Sequence, residues 1–344
     1  MMNSISYHKK IEKKLKIGRK ILYLTRQDCI SVGLTNDEIL KLMEVTLTAH
    51  GRKEVEMPAK IGIHPLQNVF SHAMPAWIPS QNACGIKWIS CFPNNKKRFD
   101  LPQTTSLLIL NDCESGIPLA IMDANWITTQ RTPAVTAISA RLLGNSNAEA
   151  FGMFGCGVQG RGHVKFLPKV IPKLKKIYVF DIVKEAMDSL IAEIQPEMKV
   201  KILKAKSPEE LVKSCEIIAS ATAILTKPNP QVRDSWISKG QTILICDLDS
   251  FWELDTMNRA DKFIFDSEEG HINLKDSGAH YLYGFPKKIY GDLGEIVAGL
   301  KPGREDKDEL IVANNIGMAI EDVALAKVIF DIALEKGIGI RLPL

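Results

Sequence analysis

With 344 residues, 45% of them hydrophobic and 24% charged, the chain has the profile of a folded globular protein and the length for two domains. That balance disfavours disorder, collagen and a disulfide scaffold. A net charge of only +4 argues against a nucleic-acid partner, and no apolar run approaches the ~18 residues that span a bilayer.

Part of the basic excess lies at the start, at Lys9, Lys10, Lys13, Lys14, Lys16, Arg19 and Lys20. Glu12 interrupts this cluster and no apolar core of a secretory signal accompanies it, so the segment reads as a solvated leader. Residues 35–50 have the spacing of one amphipathic helix. Extended segments broken by prolines follow at 60–63, 85–90, 106–110 and 119–123, with a turn at 111–116. This first part reads as α+β with antiparallel pairing. His72, after the first of these strands, either faces a pocket or is a satisfied core or surface residue.

The middle of the chain changes character. Apolar β-type runs at 151–154, 177–180, 200–203, 216–220, 242–246 and 262–265 alternate with helical stretches at 161–170 and 183–194. Ser207 and Glu210 form a capping-box pattern that opens another helix. Strands alternating with helices predict βαβ units and a parallel sheet, so an α/β domain of Rossmann type is placed at 128–311. A last helix is expected at 316–335, after the turn at Pro302-Gly303-Arg304. The seven cysteines are odd in number, irregularly spaced and without a CxxC pair. They predict free thiols in a reducing cytoplasm, and no cluster has metal-ligand spacing.

The run 151–154 is followed at once by Gly155-Cys156-Gly157-Val158-Gln159-Gly160, and the next strand ends on Asp181, about twenty residues after Gly160. Each part has a task. Gly155 permits a tight turn, Gly157 lets the backbone approach a pyrophosphate, and Gly160 allows close helix–strand packing. The amides at the start of the helix, with its dipole, favour phosphate. A carboxylate at Asp181 would accept from a ribose hydroxyl and repel a 2′-phosphate, which favours NAD; Lys184 leaves NADP open. Cys156, in the loop, is either an activated thiolate or a small filler.

With these residues in place, the chain resembles the ornithine cyclodeaminase/mu-crystallin family. The likeness is carried by Arg131-Thr132-Pro133-Ala134, expected to open a helix, and by the glycine loop with its internal Gln159. It extends to Pro58-Ala59-Lys60, Gly85-Ile86-Lys87, the stretch 111–119 and Gly299-Leu300-Lys301-Pro302-Gly303-Arg304. The resemblance implies an NAD-binding domain at 128–311 and an α+β substrate-binding and dimerisation domain from 1–127 with 312–344. It also implies a homodimer whose sheets join across the interface.

In chemistry the resemblance implies hydride transfer at the Cα of an amino acid through an imine. A cyclodeaminase then loses ammonia, with L-ornithine to L-proline as the name reaction. Dehydrogenase and ketimine-reductase members stop at the imine–amine step, and a crystallin-like member that only binds nucleotide is a third reading. Lys60, Lys87 and Arg131 match the carboxylate-binding positions, and a guanidinium suits a carboxylate bidentately. Thr104 is a further substrate position. The loop amides of Val158 and Gln159 and the neighbouring Thr132 join the glycines and Asp181 at the cofactor. Asp249, in the loop after 242–246, matches the proton acceptor and shares the catalytic role with Lys87; Asp247 is the competing acid. Where the family commonly has a Gly-rich loop and a lysine, this chain reads Asp247-Leu248-Asp249-Ser250-Phe251-Trp252. The missing lysine and the two aromatics count against ornithine, and the aromatics are expected in the pocket for the substrate side chain.

Overall fold

In the computed structural model, which describes residues 4–344, the chain divides into Thr132–Gly317 and a second unit made of both chain ends, up to Arg131 and from Met318 on. Both cuts come a few residues later than the expected 127/128 and 311/312. The second moves because Ile311–Asn314 is a buried strand that pairs with Thr242–Ile245 and Lys262–Phe265. The first moves because the expected opening at Arg131 lies well inside a helix, Asn125–Leu143, which also contains Pro133.

Short runs that are apolar on both faces make the sheet of Thr132–Gly317. Its eight strands run, in order, Gly291–Asp292, Lys262–Phe265, Ile311–Asn314, Thr242–Ile245, Ile217–Ser220, Ala150–Phe154, Lys176–Phe180 and Lys201–Lys204. Every neighbouring pair is parallel. From Ala150–Phe154 the chain steps outward to Lys201–Lys204, then returns to Ile217–Ser220 on the other side of its starting strand. That reversal leaves a crevice past the carboxyl ends of Ala150–Phe154 and Ile217–Ser220, the usual place for a ligand in such sheets.

The aromatics after Asp249 are not in a pocket. Phe154, Phe251 and Trp252 form a ring cluster in the core of this unit, with Phe154 centroids 5.0 Å and 6.0 Å from the other two. Trp252 is 1% exposed, and its indole N–H donates to Ser220 Oγ at 2.8 Å. Its indole is therefore part of the core of this unit and is tied to the end of the strand Ile217–Ser220.

The unit of both chain ends holds a seven-stranded sheet: Ile340–Pro343, Lys20–Leu24, Pro118–Asp123, Thr104–Asn111, Ala83–Cys91, Phe70–Ile78 and Ile61–Ile63. Lys20–Leu24 and Pro118–Asp123 pair in parallel, and the other neighbours are antiparallel. Phe70–Ile78 was hidden from pattern reading by Pro75 in its middle. His72 lies within it, its ring stacked on Phe70 at 4.3 Å. The long helix Ala319–Lys336 packs on one face of this sheet, and the helix Asn36–Gly51 opens on a Thr35/Glu38 capping box.

The basic start of the chain is no solvated leader. Ser4–Leu15 is a helix that buries Tyr7, Ile11 and Leu15, one residue per turn. The Tyr7 hydroxyl donates to Asp331 at 2.6 Å, and Lys10 and Lys14 both pair with Glu335. The lysines flank an apolar stripe, and the helix docks through it onto Ala319–Lys336.

Removing the indole by Trp252→Ala is expected to cost about 3–5 kcal/mol of stability. Urea unfolding of the two proteins measures this. A loss below about 1 kcal/mol with an altered substrate profile would return Trp252 to a pocket.

Candidate active site

Two groups of the expected residues come together, one within each unit. In Thr132–Gly317 the glycine loop leaves the carboxyl end of Ala150–Phe154, beside the sheet's point of reversal. Gly155 holds φ +90°, a left-handed conformation that favours glycine, and a Cβ on Gly160 would lie 1.9 Å from the Gly155 carbonyl oxygen. A Cβ on Gly157 would instead meet nothing within 4 Å. Gly157 is also the N-cap of the helix Val158–Phe166, so the space beside it lies at a helix N-terminus. A glycine turn that opens a helix in this way is the kind of cradle that favours phosphate.

Asp181 braces that cradle. Its two carboxylate oxygens accept from Cys156 N–H at 2.7 Å and from Val183 N–H at 2.9 Å. Each oxygen keeps a further lone pair for a ribose hydroxyl. Burial pushes the Cys156 thiol up to about 12, so it is the small filler and not an activated thiolate. Val158 is exposed in the first helical turn, next to Gln159. The Thr132 carbonyl accepts from Thr136 Oγ1, which lies 3.0 Å from His163 Nε2 on the loop's own helix.

The two competing acids have different surroundings. Asp247 is fully buried, and its carboxylate accepts from Ser220 Oγ, Thr222 N–H and Thr222 Oγ1 at 2.8, 3.0 and 2.7 Å. Burial pushes its carboxyl above the usual range. Its oxygens are spent on tying two strand ends together. Asp249 has one oxygen, Oδ2, held by Tyr281 N–H at 2.8 Å, while Oδ1 is buried without a hydrogen-bond partner. An acid with one fixed oxygen and one open oxygen is equipped to take a proton.

In the unit of both chain ends, Lys87 sits in the strand Ala83–Cys91 on its buried face and has no exposure. Its ammonium pairs with Asp322 Oδ2, and Arg131 donates to Asp322 Oδ1 at 3.2 Å and to Glu321 Oε2 at 2.8 Å. Burial pushes Lys87 down to about 8, against the pull of Asp322; Arg131 and then the more weakly felt charge of Lys60 add to the lowering. Thr104 lies on the same sheet face as Lys87 but is paired with Cys91, roughly 13 Å further along the strand. The structure does not bring it into the cluster.

Glu321 and Asp322 escaped the sequence reading, although a signal was present. Two adjacent acids inside the apolar run Ala319-Ile320-Glu321-Asp322-Val323-Ala324 cannot both reach solvent from a packed helix. They also lie in its first turn, where the helix dipole favours negative charge. His280 and Tyr281, which flank Asp249, lie in a loop with no pattern to reveal them.

The ornithine cyclodeaminase/mu-crystallin family model matches residues 23–337. The nodulation efficiency protein NfeD of Rhizobium meliloti is 31% identical over 93% of this chain and 97% of its own length. The solved Δ1-pyrroline-2-carboxylate reductase of Thermococcus litoralis, in complex with NADH and L-proline, is 28% identical with a TM-score of 0.84, over 93% of this chain and 99% of that one. An archaeal alanine dehydrogenase dimer with bound NAD is 26% identical with a TM-score of 0.83, over 94% and 99%.

The Lys87 site has a measurable pH signature. An unfolded chain holds this proton up to about 10.5, the folded one only to about 8, so the unfolded state binds more protons between those values. Stability of the wild type, taken relative to Lys87→Met, is expected to rise as pH climbs from 8 towards 10.5. Urea unfolding of both proteins at pH 7.5 and 9.5 checks it, and a difference that is flat or falls refutes the buried, depressed lysine.

Proposed function

The chain belongs to the ornithine cyclodeaminase/mu-crystallin family, and from that premise we propose that it is an NAD-dependent enzyme interconverting an α-amino acid and its α-imino acid. The observation that carries this reading is Asp249, a buried carboxylate with one unbonded oxygen, in a loop past the same carboxyl end of the sheet as a dinucleotide-type loop. The solved relatives with NADH and L-proline and with NAD support the cofactor and the substrate class.

In this reading the amides of the Gly155–Gly160 loop and the first turn at Val158 and Gln159 hold the pyrophosphate. Asp181 takes a ribose hydroxyl and disfavours a 2′-phosphate, with Thr132 nearby in the same unit. Bound there, NAD supplies the acceptor or donor of a hydride. Lys87 and Arg131, oriented by Asp322 and Glu321, fix the substrate carboxylate with help from Lys60. Asp249 takes a proton from the α-ammonium, which frees the nitrogen lone pair to form C=N as hydride leaves Cα. In the reverse direction it returns that proton. Cyclodeamination uses the same groups and differs in needing a second amine on the substrate.

The chain-end unit leaves Trp77, Trp88, Leu107 and Ile109 exposed on the sheet face opposite Lys87, with Trp88 directly across from Leu107. A contiguous apolar sheet face of this kind is suited to a second copy, so the protein is proposed to be a homodimer through it. Trp88→Glu is expected to convert dimer to monomer in light scattering; a wild type that is already monomeric, or a variant that stays dimeric, refutes this.

The function is tested with purified protein, NAD and NADP, and a panel of amino and imino acids that includes L-alanine, L-proline, Δ1-pyrroline-2-carboxylate and L-ornithine. Reduced or oxidised nicotinamide changing in step with one amino–imino pair, with NAD preferred, is the expected result. Asp249→Asn should lower that rate by about 10²–10⁴-fold while nucleotide binding persists. Ammonia and proline from ornithine without net NADH would make it a cyclodeaminase. Tight NAD binding with no turnover would make it a binding protein.

A further inference from the structure

Two buried polar atoms beside each other lack a partner: Asp249 Oδ1 and His280 Nδ1. They lie 3.7 Å apart, beyond hydrogen-bond reach, and each side chain is 9% exposed. An unmet buried polar atom is costly, and native proteins seldom keep one without a guest or a function. Two atoms at this separation can both lie about 2.8–3.0 Å from one third atom.

The pair is also held in place. Leu248 and Tyr281, next to Asp249 and His280 in sequence, have left-handed φ of 59° and 60°. Non-glycine residues persist there only when their surroundings enforce it. Asn314 Nδ2 donates to the Leu248 carbonyl at 3.2 Å and lies 3.3 Å from the Tyr281 hydroxyl. That hydroxyl is bonded to His271 Nδ1, whose Nε2 lies 3.1 Å from Asp266 Oδ1. Asp266 Oδ2 in turn accepts from Gly317 N–H at 2.6 Å. The buried chain Asp266–His271–Tyr281 thus anchors the backbone that presents both open atoms. Asp247, the nearest other acid in sequence, is turned away onto Ser220 and Thr222.

We infer that His280 and Asp249 together seat the α-ammonium of the substrate and share the proton it loses. This rests on the amino-acid reading above and names the amine site within it. An ammonium has three N–H donors; one bonds Asp249 Oδ1 and a second bonds His280 Nδ1 in its unprotonated form. One proton passes to this pair, and the neutral nitrogen closes C=N as the hydride leaves Cα for the nicotinamide. In the opposite direction the pair returns the same proton to nitrogen. Charge and atoms balance with one proton held on the pair. His280 is then a second catalytic residue beside Asp249.

Two measurements decide it. In protein labelled with ¹⁵N-histidine, methylammonium is the probe, and the His280 ring signal is assigned by its loss in His280→Gln. Methylammonium is expected to move that signal in the wild type and to leave it in place in Asp249→Asn. No movement in the wild type overturns the proposal, whatever the enzyme turns over. In turnover, His280→Ala should lower kcat by about 10²-fold, keep its affinity for NADH, and regain part of its rate with added imidazole. Wild-type rates in both His280→Ala and His280→Gln, or a loss in His280→Ala that imidazole does not relieve, refute it. If the wild type turns over nothing in the panel, the amino-acid reading fails, and the histidine signal alone still decides the amine seat.

Discussion

A lysine with no exposure to solvent has to be neutralised inside the protein, and the chain-end unit is arranged around doing so. Lys87 points from a mid-sheet strand into the core, and its partner Asp322 comes from a helix 235 residues later. The desolvation of such a pair amounts to several kcal/mol per ion and is offset only by close, well-directed contacts. Arg131 and Glu321 supply the rest, giving two cations and two carboxylates in one buried group. The helix that carries the acids must therefore lie against the sheet that carries the lysine. The chain's final strand, Ile340–Pro343, then pairs with Lys20–Leu24 at the sheet edge.

The parallel-sheet unit solves a different problem, that of presenting polar groups at the ends of wholly apolar strands. It does so by dividing two acids between two tasks. Asp247 gives both oxygens to Ser220 and Thr222 and so locks neighbouring strand ends. Trp252 adds its indole N–H to the same Ser220, so the aromatic core and the polar lock are coupled. With that edge rigid, Asp249 is free to keep one oxygen open, and the glycine loop is held by Asp181. Asp247, Ser220, Thr222 and Trp252 thus fix the strand ends from which Asp249 is presented.

Much of the fold could be read in the chain because local patterns carry it. The alternation of short apolar runs with helical spacing announces a parallel sheet, and the glycines and Asp181 mark its loop. What escaped had conflicting or absent local signals. The first helix was masked by its lysines, whose apolar stripe of Tyr7, Ile11 and Leu15 acquires meaning only against Ala319–Lys336. Phe70–Ile78 was masked by Pro75, and the expected boundary at 311/312 cuts the strand Ile311–Asn314, whose place in the sheet is set by its partners Thr242–Ile245 and Lys262–Phe265.

The residues proposed for carboxylate binding and proton transfer, the glycine loop with its acid, and the likeness to one family were present in the sequence alone. Tertiary structure decided which groups meet. It gave Lys87 its buried acid, separated Thr104 from that cluster, made Asp247 a brace and left Asp249 open beside His280. It also moved Trp252 from an expected pocket into the core. Periodicity and turn chemistry act over a few neighbouring residues and are written in the chain. Burial and pairing of charge depend on residues far apart in sequence, and only the folded chain brings those together.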